Sequence, residues 1–287
     1  MGKDVEVSIM RTLGFYAAGI GFFVLLYGSV FFTGRIRERV ILLDALIAST
    51  TPAVDVLMQG PPPSTHGEAT AIALARAIYD RINAPLLPDA LDWYERLEGL
   101  SPLNVSAATA LRHGGFGLKG HARFGPCTTM SRTLILALRR LKIQARALYL
   151  EADERGLGGG HQMVEFWDEG MWKVIAPSDN AFVWRTHEGR VATAAEIAAS
   201  AEVFSQVYEA FPHYQYLFHN ITRFSLPDAP GWLKSLVGMI LPDDGFGPEA
   251  PLFFHSPRGL MLRLCLVLAS LCAVAAICLR PRRYQDE

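Results

Sequence analysis

The chain has 287 residues, of which 51% are hydrophobic, and its 27 Lys and Arg against 28 Asp and Glu give a formal net charge of −1. A balance this near neutrality excludes the strongly basic footprint of a nucleic-acid partner, and a mean hydropathy of +0.20 excludes a wholly soluble domain of ordinary composition. Three of the four cysteines fall in the apolar run near the C-terminus, so Cys127 has no disulfide partner in the intervening domain.

After an N-terminal tail, 1–11, the run from Thr12 to Gly34, "TLGFYAAGIGFFVLLYGSVFFTG", carries no charge. It is long enough to cross ~30 Å of hydrocarbon at ~1.5 Å per residue, which predicts a transmembrane helix over 12–34. A cleaved signal peptide has a shorter apolar core and a small-x-small cleavage site, and "RIRER" offers none. Residues 35–66 predict a juxtamembrane helix followed by the proline-rich linker "QGPPPST", and a folded domain is expected over 67–225. In "HGEATAIALARAIYDRI" the residues Ile72, Leu74, Ala75, Ile78 and Tyr79 recur at helical spacing. "PDALDWYERLEGL" and "NVSAATALRH" predict two short helices, opened by Pro88 and by Asn104 as N-cap. The glycine-rich "HGGFGLKGHARFG" holds a formal G-x-G-x-x-G at Gly115, Gly117 and Gly120. It follows a helical pattern instead of a strand, so it predicts a flexible loop and no bound dinucleotide.

Pro126 suits the first turn of a helix, and Leu134, Ile135, Leu138 and Leu141 supply the apolar stripe of the helix after it. Cys127 then lies in the first turn, where free backbone N–H groups and the helix dipole stabilise a thiolate. Two readings stay open on that position alone: an activated nucleophile, or a small buried apolar residue. "IQARALYLEA" alternates as a strand, the loop "DERGLGGG" delivers His161 onto a second strand, "HQMVEFW", and the turn "DEG" leads to a third, "MWKVIAPSD". A helix that opens on Cys and an antiparallel sheet that carries His make the Cys-His arrangement of papain-like chemistry.

The segments "GPCTTMSRTLILALRRLKIQAR", "GHQMVEFW" and "GMWKVIAPSD" resemble, in order, the motifs of the transglutaminase-like (transglutaminase core) superfamily, from Gly125 to Asp179. The resemblance implies an α+β fold of papain-like, transglutaminase-core type, with Cys127 as nucleophile and His161 as general base. It also implies Arg146 at the helix-to-strand junction and Trp172 as a structural aromatic. The family's third member stands directly before the proline, where this chain has Ala176 ahead of Pro177. The hairpin register also places His161 opposite about residues 176 to 178, so an orienting carboxylate is expected there and is missing. Asp179 and Asn180 are the nearest substitutes, and "SDN" reads equally as a turn pair.

His113, His121, His187, His213, His219 and His255 form no ligand spacing, so no metal site is expected. "TAAEIAASAEVFSQVYEAF" predicts a helix opened by a Thr193 and Glu196 capping box. The aromatics of "PHYQYLFHNITRF" suit either an apolar face on the sheet or the floor of a groove for an extended peptide or glycan. Within the segment 226–258, "APGWLKSLVGMIL" predicts a helix lying on the membrane surface. The run 259–279, with Arg263 as its one charge, predicts a second transmembrane helix ahead of the tail 280–287. The "RPRR" of that tail favours both tails in the cytoplasm of a two-pass inner-membrane protein with an extracytoplasmic domain.

The expected function is that of a membrane-anchored Cys-His hydrolase or acyltransferase acting on an amide bond. Its partners are then the lipid bilayer and a peptide or protein substrate, with no nucleic acid and no cofactor. The alternative from a different class is a catalytically degenerate scaffold that binds a peptide or a polysaccharide-export partner. Cys127 and His161 favour the enzyme, whereas Ala176 favours the scaffold.

Overall fold

The computed structural model describes residues 2–59, 65–83, 91–100, 106–114, 126–150, 161–179, 182–210, 218–219, 221–222, 232 and 257–280. The glycine-rich loop with His121, the loop 151–160, Asn180, and all of the expected interfacial helix except Trp232 lie outside them. The chain divides into two compact units, one of Met1–Glu38 with Ser256–Glu287 and one of Arg39–His255.

In the first unit, helix α1 (Gly2–Met58) and helix α8 (Pro257–Leu279) supply stretches long and apolar enough to cross a membrane. Their contact has a sequence cause that the apolar runs alone conceal. Gly14, Gly21 and Gly28 on α1 face Leu279, Cys272 and Cys265 on α8. Each step of seven residues forward along α1 is thus a step of seven backward along α8, so the helices are antiparallel. A seven-residue repeat keeps one seam in contact along the pair, and glycine lets the two backbones approach. A Cβ added at Gly14, Gly21 or Gly28 would stand 3.0, 3.2 and 3.1 Å from those partners. One further step reaches Arg35, whose carbonyl oxygen accepts from Arg258 Nη1 at 3.3 Å. Glu38 lies 3.7 Å from Arg258 Nη1 and 3.6 Å from Arg35 Nη1, so the seam ends in an ion cluster. Away from the seam, Leu13, Tyr16, Ile20, Phe23, Tyr27, Leu271 and Ile277 are exposed, a surface suited to lipid.

In the second unit, the α1 segment from Arg39 onward packs into the domain. Leu43 and Leu46 are buried with Leu74 and Ile78 of α2 (His66–Ile82) and with Leu134, Ile135 and Leu138 of α5 (Pro126–Arg140). Arg140 also grips Asp44 with two hydrogen bonds of 2.8 and 2.9 Å. The juxtamembrane helix is therefore a wall of the domain core, and the boundary expected near residue 66 moves back to about Arg39. Between α2 and α5 come α3 (Trp93–Leu100) and α4 (Ala107–His113). Ser106, not Asn104, caps α4, accepting from the Thr109 N–H at 3.3 Å.

The sheet is antiparallel throughout and has the order β4-β3-β2-β1-β5. Its strands are β1 (Ala145–Leu150), β2 (His161–Asp168), β3 (Met171–Ala176), β4 (Phe182–Val183) and β5 (Ile221–Thr222). Strand alternation sorts the two faces. Ala145, Ala147, Val164, Phe166 and Ile175 meet α2 and α5, whereas Leu148, Leu150, Met163, Val174 and Ala176 meet Trp184, Phe218 and Ile197 of α6 (Ala194–Ala199). Phe218 stacks edge-on against Trp184 with ring centroids 5.2 Å apart, so this aromatic packs on the sheet, and it also lines a cavity with Ile197, Ser200, Phe204 and His219. The expected capping box of Thr193 and Glu196 opens α6. The helix breaks at Ser200, whose hydroxyl caps α7 (Ala201–Ala210) by accepting from the Val203 N–H at 3.2 Å.

The hairpin between β2 and β3 turns through Glu169 and Gly170, both at positive φ (50° and 79°), the twist-matched geometry of a two-residue loop. Its end is fastened to α2 through Lys173, which is fully buried and donates to Glu68 Oε1 at 2.7 Å, Asp168 Oδ2 at 2.6 Å and Glu169 Oε2 at 3.0 Å. Burial opposes the lysine's charge, but the three carboxylates outweigh it and hold its pKa above the usual value.

Antiparallel pairing predicts a specific cross-link. Gly28→Cys places a sulfur within reach of Cys265, since an S–S bond spans about 2.05 Å, whereas Gly19, with nothing within 4 Å of its Cβ position, serves as control. Oxidation in membranes should join the two helices in Gly28→Cys and leave Gly19→Cys unlinked; linking in both or neither contradicts the seam.

Candidate active site

Three elements converge at one end of the sheet. Helix α5 starts at Pro126 and presents Cys127, half-buried, from its first turn. Strand β2 starts at His161, which is buried. Strand β3 ends at Ala176, and the chain then turns back on itself, with the Asp179 N–H donating to the Ala176 carbonyl at 3.2 Å. That turn carries the Asp179 carboxylate to His161, with Oδ2 3.0 Å from the ring Nε2. The Ser178 hydroxyl donates to the other oxygen, Oδ1, at 3.3 Å. Nε2 faces Asp179, and Cys127 lies close enough to His161 for each to shift the pKa of the other.

The electrostatics favour charge on both partners. Burial pushes the Cys127 thiol up, but the hydrogen bond and charge of His161, the Gln162 backbone N–H and the Thr128 hydroxyl together bring it below its ordinary value. Burial pushes His161 down, yet the hydrogen bonds to Asp179 and Cys127 and their charges raise it to about 9. The lowered thiol and the raised imidazole each favour the charged form of the other. By linkage, the protonated ring contributes stability that is whole below its unfolded value near 6.5 and is lost as the pH rises toward 9.

Ala176 occupies a different environment. It is fully buried on the sheet face covered by α6, among Leu148, Met163, Val174 and Trp184. The site of the expected carboxylate is thus an apolar interior, and the turn supplies the carboxylate three residues later. Of the two residues considered as substitutes, Asp179 contacts His161, and Asn180 lies outside the described residues.

Arg146 and Trp172 stand apart from Cys127. Arg146 pairs with Glu165 at 2.5 Å across β1 and β2, and its guanidinium lies 4.0 Å from the centroid of the Trp172 ring. The pair braces the middle of the sheet. Periodicity gave no sign of Tyr149, which is close enough to Cys127 to feel its charge. Burial raises the Tyr149 phenol first, Arg132 lowers it, and the charge of Cys127 raises it again, so the phenol stays protonated well past neutrality. Among the described residues, Glu68, Asp168 and Glu169 alone bring three carboxylates close enough to share a metal ion. Lys173 Nζ already sits among them as their cation. Comparison of the chain with protein-family models, with curated proteins and with solved structures returns no match. The side-chain arrangement therefore carries the functional argument by itself.

The contrast between positions 176 and 179 is testable. Asp179→Ala should fold and lose at least tenfold in Cys127 alkylation rate at pH 6.5, since one unit of thiol pKa is a factor of ten in thiolate. Ala176→Asp buries an unpaired carboxylate in an apolar cluster and should cost about 3 kcal/mol or more, read as a lowered denaturation midpoint. A stable, more reactive Ala176→Asp together with a silent Asp179→Ala would reverse the assignment.

Proposed function

We propose that the protein is a membrane-anchored cysteine hydrolase or acyltransferase of transglutaminase-like type, acting on an amide bond of a peptide or protein. The observation that carries this reading is the convergence of Cys127, His161 and Asp179, with Asp179 hydrogen-bonded to the His161 ring, the thiol lowered and the imidazole raised to about 9. The order of helix, Cys, strand, His, strand and carboxylate agrees with the papain-like arrangement, and the two apolar helices agree with a membrane anchor.

In this mechanism the Cys127 thiolate attacks the amide carbon, forming a C–S bond, and backbone N–H groups at the start of α5 donate to the oxyanion. The His161 imidazolium passes its proton to the departing amine as the C–N bond breaks, leaving a thioester and a neutral ring. His161 then takes a proton from water or from an acceptor amine as it attacks the thioester. Collapse releases the acid or the new amide, and the thiolate and imidazolium are restored. Asp179 holds the ring orientation and offsets its charge in both halves of the cycle.

The pH dependence follows from the paired charges. Turnover should rise as the thiol ionises below its ordinary value and fall as His161 loses its proton near pH 9. Iodoacetamide applied to native membranes at pH 6.5, with the Cys127 peptide quantified by mass spectrometry, should label it well ahead of free cysteine. His161→Ala should slow that labelling at least tenfold. Labelling at the free-thiol rate, unchanged by His161→Ala, would remove the enzyme reading and favour the non-catalytic scaffold.

A further inference from the structure

Strand β2 loses its β3 partner two residues before it reaches the catalytic end. The ladder begins at Val164 opposite Ile175, and continuing that register places Gln162 opposite Pro177. Proline has no N–H, so it cannot donate to the Gln162 carbonyl. The backbone groups of even-numbered β2 residues point toward β3, because the odd-numbered Trp167 donates the other way, to the Gln144 carbonyl ahead of β1, at 2.8 Å. Gln162 therefore presents one N–H and one C=O toward a place where the sheet has ended.

Helix α5 occupies that place with two residues one turn apart. The Ser131 hydroxyl donates to the Gln162 carbonyl at 3.0 Å, and one turn earlier the Cys127 thiol is close enough to the Gln162 backbone to be lowered by it. Ser131 is fully buried. A helical serine ordinarily returns its one proton to the carbonyl four residues back, which here is Cys127 itself. Ser131 sends it across to β2 instead, to the residue directly after His161. Buried backbone carbonyls demand a donor, so this bond fixes the height of α5 over the strand start.

We propose that Ser131 is a positioning residue for the site, replacing the missing Pro177 N–H and thereby setting the separation of Cys127 from His161. This rests on the nucleophile-base reading of those two residues. Ser131 touches no substrate; it acts through the Gln162 backbone. Loss of its hydroxyl leaves a buried carbonyl without a donor and frees the first turns of α5 to shift, which weakens the contact of thiolate and imidazolium before it weakens the fold.

The test is the pH profile of Cys127 alkylation by iodoacetamide, measured on the full chain in membranes for wild type, Ser131→Ala, Ser131→Thr and His161→Ala. Ser131→Ala should move the profile about one unit toward alkaline pH, read as roughly tenfold slower labelling at pH 6.5, and Ser131→Thr should restore it. Should alanine lower the folded fraction, Ser131→Val and Ser131→Thr, which match in shape, carry the comparison: valine shifts the profile and threonine does not. If His161→Ala shifts the profile while neither hydroxyl-free variant does, the positioning role is overturned and the nucleophile-base pair stands. If His161→Ala is also silent, both fall.

Discussion

The end of the β2–β3 ladder is the constraint on which the site depends. A strand pair that ran two residues further would bond Gln162 to its neighbour and carry the chain past His161 in extended form. Pro177 stops it, because it offers no N–H and favours a turn. Two consequences follow from the same missing donor. The chain folds back after Ala176, so that Asp179 meets the His161 ring, and the Gln162 carbonyl is left for the Ser131 hydroxyl of the helix that bears Cys127. Cys127, His161 and Asp179 thus come from three elements whose meeting point is set by one break in a hydrogen-bond ladder.

Much of this frame was legible from residue pattern. The stripe of Leu134, Ile135 and Leu138 behind Pro126 marked α5, and the alternation around "ARALYL", "HQMVEF" and "MWKVIA" marked the three main strands, because one face of a helix or strand must be apolar to reach a core. The carboxylate was harder to place. Asp179 follows a proline in a turn-forming tripeptide, and local turn chemistry alone explains such a residue; only the long-range pairing with His161 separates the two roles. Ser131 had no sequence signature at all, since its partner is a backbone carbonyl 31 residues away. Local cues misled on the α4 cap as well: Asn104 and Ser106 are both good caps, and the structure selects Ser106.

The unit that holds the two long apolar helices shows the same limit of composition. Hydropathy finds apolar runs but does not say how they pair. The seven-residue spacing of Gly14, Gly21 and Gly28 does, once it is matched to Leu279, Cys272 and Cys265 running the other way. Cysteines that first look like an unexplained cluster are in part the residues that those glycines admit. The continuation of α1 to Met58 has an equally simple cause: past Gly34 the helix acquires Leu43 and Leu46, which are buried in the domain core, so packing sustains it where the uncharged apolar run ends.

The central claim is that Cys127 and Asp179 together hold the His161 ring protonated above the ordinary histidine range, and the titration of that ring reports it most directly. Titration of that ring by NMR, assigned by its loss in His161→Ala, is predicted to show a midpoint of about 9, falling when Cys127 is replaced by serine. A midpoint at or below the ordinary histidine value of about 6.5, unmoved by Cys127→Ser, would contradict it.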